Sequence, residues 1–213
     1  VTVGAANTLT TVAGIPFYQG DSGSIYTHDV SGTDDTATEN TAYGLAAMDA
    51  ITTGDSNSAF GNRALGANTT GIKNSAVGKD ALLDNTTGAG NTSLGFATLA
   101  NNTTANDNVA IGKEALFTNI TGANNTAVGK DAMFYNTASD NIAIGKGAMT
   151  ANTTGTRNLA IGVGAYDSSD TENDNLAIGY NAMTTNTAGG NENVAVGNYA
   201  LDAHTSGDEN VAI

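Results

Sequence analysis

The sequence predicts an all-β fold, a parallel β-solenoid with about 17 residues per coil, and three observations lead there. Asparagine recurs at positions 40, 57, 74, 91, 108, 125, 141, 158, 175, 193 and 210, in steps of 17 residues broken by a single 16 and a single 18. Each step carries variants of one phrase, Asn-x-Ala-(Ile/Val)-Gly-x-x-Ala-(Leu/Met), followed by a turn built on Asn-Thr-Thr-Gly; residues Asn108, Val109, Ala110, Ile111, Gly112, Lys113, Glu114, Ala115 and Leu116 are a clean copy. The composition is poor in bulk: no Trp, one Pro, 6% aromatics and 27 Gly in 213 residues. A fixed short period means stacked near-identical coils. Small side chains suit a narrow core with closely spaced backbones, because they cannot fill a wide one at the packing density of protein interiors.

Residues 1–39 stand outside the regular period and contain Pro16, His28 and the acidic stretch from Asp34 to Glu39. They read as an N-terminal cap or junction, since a bare terminal coil exposes unpaired strand groups. Val1-Thr2-Val3-Gly4 echoes Val194-Ala195-Val196-Gly197, so a degenerate coil is expected from the first residue.

From Asn40 to residue 213 the repeats align as columns, with Asn as column one. Column three is Ala except Ser93, column five is always Gly, and column eight is Ala except Thr98. Column four is bulky and apolar, from Tyr43, Phe60 and Val77 to Val196 and Ile213. Columns one to four read as a short strand, with columns two and four on one face and columns one and three on the other. Both faces are constrained. One is therefore expected to line the coil interior and the other an inter-chain interface, in an order the sequence leaves open. The Gly column predicts positive φ or close backbone approach at a corner. Columns six to ten are expected to form a second strand, being too short between Gly and Asn for a stable helix. Asn in column twelve, followed by Thr-Thr-Gly, reads as turn chemistry, and the Asn of column one as an amide ladder. Coils about 4.8 Å apart give a rod of roughly 50 Å.

The phrase resembles the head repeat of trimeric autotransporter adhesins, the YadA-like family, and the repeat shafts of bacteriophage tail fibres. Asn108-Val109-Ala110-Ile111-Gly112 and Asn193-Val194-Ala195-Val196-Gly197 are the nearest copies. The resemblance spans residues 40–213. It implies a left-handed parallel β-roll, three chains around one axis, and a fibre or adhesin role outside the cell, at a cell surface or on a virion. The repeat here is longer than is usual in such heads. No coiled-coil stalk, membrane-anchor barrel or C-terminal chaperone occurs within these residues.

A formal charge of −14 opposes binding to nucleic-acid phosphates. No run matches a membrane-spanning helix, and the absence of Cys excludes disulfides. Lys79, Lys113, Lys130 and Lys146 share column six, and Asp80, Glu114 and Asp131 share column seven. Pairing between rungs on a solvated face is the expectation, rather than a polyanion-binding stripe. Asp167, Asp170, Glu172 and Asp174 crowd one loop and are the only candidate ligands for a hard cation such as calcium, in a spacing unlike an EF-hand. His28 and His204 stand alone, with no catalytic phrase around them, so neither an enzyme nor a cofactor is expected. Asn68, Asn85, Asn102, Asn119 and Asn152 lie in Asn-x-Thr sequons that turn chemistry explains. A flat ice-binding Thr face would need Thr at alternating strand positions, and here it clusters in the turn.

The expected function is a stiff trimeric fibre or adhesin segment whose exposed turns carry any recognition of a cell-surface glycan or protein receptor. The alternatives are a head-to-tail extracellular filament and a calcium- or glycan-binding module. For the filament, Val211 and Ile213 of one subunit would abut Val1 and Val3 of the next, because an uncapped strand offers free backbone groups.

Overall fold

The computed structural model describes residues 10–12, 15–19, 24–26, 36–168, 171–185, 190–203 and 206–213, the first two segments by their backbone alone. The chain is a parallel β-solenoid of about ten coils, with no helix among the described residues. Each coil contributes one three-residue strand, and the strands stack in sequence order into a single sheet. They are β4 (Thr41–Tyr43), β5 (Ser58–Phe60), β6 (Ser75–Val77), β7 (Thr92–Leu94), β8 (Val109–Ile111), β9 (Thr126–Val128), β10 (Ile142–Ile144), β11 (Leu159–Ile161), β12 (Leu176–Ile178) and β13 (Val194–Val196), closed by the two-residue β14 (Val211–Ala212). Upstream, β1 (Thr10–Val12) and β2 (Ile15–Gln19) form an antiparallel pair, and β2 pairs antiparallel with β3 (Ile25–Tyr26). Parallel stacking thus begins before Asn40, where Ile25 and Tyr26 pair with Thr41 and Ala42. The echo at residues 1–4 lies outside the described residues.

The interior is lined by columns one, three, eight and nine. In the clean copy Asn108, Ala110, Ala115 and Leu116 are all fully buried. Alanine is selected there because two backbone layers face each other at close range, and a larger side chain in column three would push them apart. The odd pair is compensatory: where column three is Ser93, column eight is Thr98, and the two hydroxyls hydrogen-bond inside the core.

The expected second strand does not form. Columns six to eleven run as consecutive turns, and column seven (φ 51–65°) and column nine (φ 49–56°) are left-handed in every coil. Neighbouring coils still bond there, Leu116 N–H donating to Ala132 O at 3.0 Å, but the alternation of hand breaks the strand. A third left-handed station, at φ 57–69°, precedes each column-one Asn, as at Asp107 and Asp174.

The Gly corner has both predicted causes. Gly112 sits at φ 124°, and a Cβ there would lie 2.7 Å from the backbone C and O of Gly129 in the next coil. Only glycine satisfies both conditions.

Two Asn columns bind the coils together. Asn108 Oδ1 accepts from the N–H of Asn125 at 2.9 Å, and its Nδ2 donates to Gly122 O at 2.9 Å. The column-one ladder is therefore largely side chain to backbone. The amide-to-amide ladder stands in column twelve, where Asn85 Nδ2 donates to Asn68 Oδ1 (2.8 Å) and Asn102 Nδ2 to Asn85 Oδ1 (2.7 Å). The irregular steps are absorbed in the turn. Asn125 reaches the carbonyl 13 residues on, and Asn175 the one 15 residues on, where 14 is the rule. Strand register is unchanged on both sides.

Candidate interaction surface

With columns one and three inside, columns two and four face outward. That settles the order the sequence leaves open: column four is on the outer face, and on the single chain it is exposed. Tyr43, Phe60, Val77, Leu94, Ile111 and Ile144 are 36–50% exposed. Because strands pair residue for residue, these side chains line up along the rod: Ile111 is the partner of Val128, which pairs with Ile144, which pairs with Ile161. Beside them column two adds Val109, Ile142, Leu159, Leu176 and Val194, of which Ile142 is 41% exposed. The result is an outward ribbon whose column four is apolar in every coil and whose column two is hydroxyl-bearing at Thr41, Ser58, Ser75, Thr92 and Thr126. Ten coils at about 4.8 Å by four residues at about 3.3 Å give an outline on the order of 600 Å². Only part of that outline is apolar, but large apolar patches mark interaction surfaces, and a standard interface covers about 800 Å² per partner.

One edge of the ribbon is column six. Three of its four lysines pair within their own rung rather than between rungs, Lys79 with Asp80, Lys113 with Glu114 at 3.4 Å, and Lys130 with Asp131, while Lys146 is followed by Gly147. Lys79 and Lys113 also lie over the ring of Phe96, 5.2 and 5.8 Å from its centroid. The edge is thus largely neutralised at Lys79, Lys113 and Lys130. Arginines make the contacts between rungs, Arg63 with Asp80 and Arg157 with Asp174.

The acidic loop is not a single cluster. Asp174 is held by two bonds from Arg157, 2.6 and 2.7 Å, which keep its carboxyl below the ordinary carboxylate range. Glu172 is buried in the position that Gly122 and Gly155 occupy in other coils, and its carbonyl accepts from Asn158 Nδ2 at 2.7 Å. Asp167 lies in column ten of the same coil, in the turn after the strand, where its carbonyl accepts from Ala151 N–H at 2.9 Å. Asp170 lies outside the described residues, as do His28 and His204. Among the described residues no three His, Cys, Asp or Glu side chains come together as a metal would require, and no helix is long and apolar enough to cross a membrane.

The sequon asparagines Asn68, Asn85, Asn102, Asn119 and Asn152 are fully buried, and each donates its Nδ2 inside the rod. The fold leaves that nitrogen no room for a glycan. The first Thr of the turn also bonds internally, Thr69 Oγ1 donating to Thr86 O at 3.0 Å. Of the end-contact candidates, Val211 and Ile213 are 69% and 95% exposed; Val1 and Val3 lie outside the described residues.

No protein-family model matches the chain, and no curated protein or solved structure matches it either.

Proposed function

We propose that this chain is a segment of a stiff extracellular fibre or adhesin that associates with copies of itself through the apolar ribbon, as a homotrimer. The observation carrying this reading is the unbroken outward row of large apolar residues in column four, widened by the aliphatic residues of column two from Val109 onward, on a rod whose interior is already filled. A single thin coil buries mostly Ala and one Leu or Met per turn. A second apolar layer between chains supplies the core that one chain lacks. Stiffness comes from backbone bonds running coil to coil on every side, reinforced by two buried Asn columns. The left hand of the roll and the likeness to YadA-like heads and tail-fibre shafts belong to the same proposal. Recognition of a glycan or protein receptor is assigned to the exposed turns, and no catalytic role is part of it.

Sedimentation equilibrium over a range of concentrations tests the reading. A discrete species of three times the 21.2 kDa chain mass is expected. Mass that grows without limit would favour the end-to-end filament, and a folded monomer at every concentration would contradict self-association.

A further inference from the structure

Columns nine and twelve change together in one coil. Between Asn158 and Asp174, column nine is Tyr166 and column twelve is Ser169, where Leu116 and Asn119 stand in the coil of Asn108. The Tyr166 hydroxyl accepts from Asn175 Nδ2 at 2.7 Å. Two coils earlier the matching bond runs from Asn141 Nδ2 to the column-twelve Asn136 Oδ1, at 3.3 Å. The phenol oxygen thus does what a column-twelve amide does elsewhere. The exchange leaves one group behind. Asn152 is fully buried and its Nδ2 donates to Asn136 Oδ1 at 2.7 Å, but its own Oδ1 has no hydrogen-bond partner. In regular coils that oxygen accepts from the next amide, as Asn85 Oδ1 does from Asn102 Nδ2. The ladder is also interrupted at the 16-residue coil, yet there Asn119 Oδ1 accepts from Gly122 N–H at 3.1 Å.

A buried acceptor without a partner has lost its hydration and gained nothing in return. That cost falls on the boundary between the coil ending at Arg157 and the coil beginning at Asn158. The Tyr166 bond does not offset it, because it ties its own coil forward to Asn175. Arg157 and Asp174 do cross the boundary, but both are fully exposed, and exposed pairs contribute little. Column one still bonds across it, Asn141 Oδ1 accepting from Asn158 N–H at 2.9 Å, so the rod is weakened there rather than broken. In a linear stack each coil is held only by its neighbours, and the weakest boundary decides where cooperative opening stops. We propose that this boundary is a seam built into the rod, dividing it into two blocks, residues 40–157 and 158–213, that open separately. In the 213-residue chain the shorter block opens first. The division belongs to the single chain and does not depend on self-association.

Amide hydrogen exchange read by mass spectrometry, on the full chain in dilute, dissociated samples, follows opening coil by coil. Amides after Asn158 are expected to be about 10- to 100-fold less protected than those before Arg157, with a single step between the two levels. Protection that is uniform, or that declines gradually from coil to coil as end-fraying gives, would overturn the seam. Tyr166→Leu/Ser169→Asn restores the pair found in the regular coils and is expected to abolish the step. A step of unchanged size in that folded variant would overturn the assignment to these residues. Asn102→Ser removes the donor to Asn85 Oδ1 and is expected to create a second step at that level. Its absence in the folded variant would contradict the claim that amide bonds of this column set the blocks.

Discussion

Columns nine and four each place one large apolar residue in every coil, and they end up in opposite environments. Column nine, Met48 through Met183, is fully buried or within 1% of it; column four, Tyr43 through Val196, is up to half exposed. Bulk and regularity do not separate them. Branching does. Column nine holds Leu, Met or Tyr and never Val, Ile or Thr, whereas column four is Val or Ile in Val77, Ile111, Val128, Ile144, Ile161, Ile178 and Val196. The reason is backbone hand. Column nine sits at φ 49–56°, where a branched Cβ clashes most severely, and column four is extended strand, where branching is favoured. The difference teaches that in a one-strand coil the sign of φ restricts which large residues a column can hold, unbranched ones at the left-handed column nine and branched ones in the extended column four.

The largest expected effect lies in the frame both columns share. Asn108→Ala removes the acceptor for Asn125 N–H and the donor to Gly122 O, both buried, and should cost about 2–6 kcal/mol. Chemical denaturation measures it; a loss below about 1 kcal/mol would show that the Asn ladder is replaceable by water. Gly112→Val comes next. Its φ and its clash with Gly129 predict a loss of at least about 1–3 kcal/mol per chain, read as a lower melting temperature. A variant melting with its parent would mean the corner can open.

The comparison itself is sharpened by three substitutions at two positions of one coil. Leu116→Val should destabilise by about 1–3 kcal/mol, and Leu116→Met by less than about 1.5 kcal/mol, since only the first places a branch at positive φ. Ile111→Val, in the extended column, should leave folding of the single chain within about 0.5 kcal/mol. Equal losses for Leu116→Val and Leu116→Met would remove branching as the sorting rule.

Much of this was open to sequence reasoning. The period, the strand at columns one to four and the Gly corner follow from spacing and residue size. The second strand was misread because columns six to ten mix apolar and charged residues as a half-buried strand does. The sign of left-handed geometry, the missing β-branched residues of column nine, is an absence rather than a motif. Column twelve was read only as a turn because Asn-Thr-Thr-Gly is turn chemistry by itself; that successive Asn68, Asn85 and Asn102 also bond to one another depends on stacking. Which strand face points inward was undecidable, since both are constrained. In the acidic loop the repeat phase of Glu172, in the Gly position of the turn, was the available signal that it serves the coil.

The smallest expected effect concerns pH. Arg157 lowers the pKa of Asp174, so the pair's contribution is present above the ordinary carboxylate range and fades as pH falls through the depressed value. Both groups are fully exposed, so Arg157→Ala should shift the melting temperature negligibly near neutral pH, and the small difference should vanish in acid. A large shift at neutral pH would make this ion pair a structural clamp.

The most direct test of inside against outside is thiol labelling of Ile111→Cys and Leu116→Cys in this cysteine-free chain. In dilute, dissociated samples Ile111→Cys should react close to the rate of a free thiol, and it should become protected as the chains associate. Leu116→Cys should stay protected throughout. An Ile111→Cys thiol that is buried in the dissociated chain, or equally reactive at every concentration, would contradict the account.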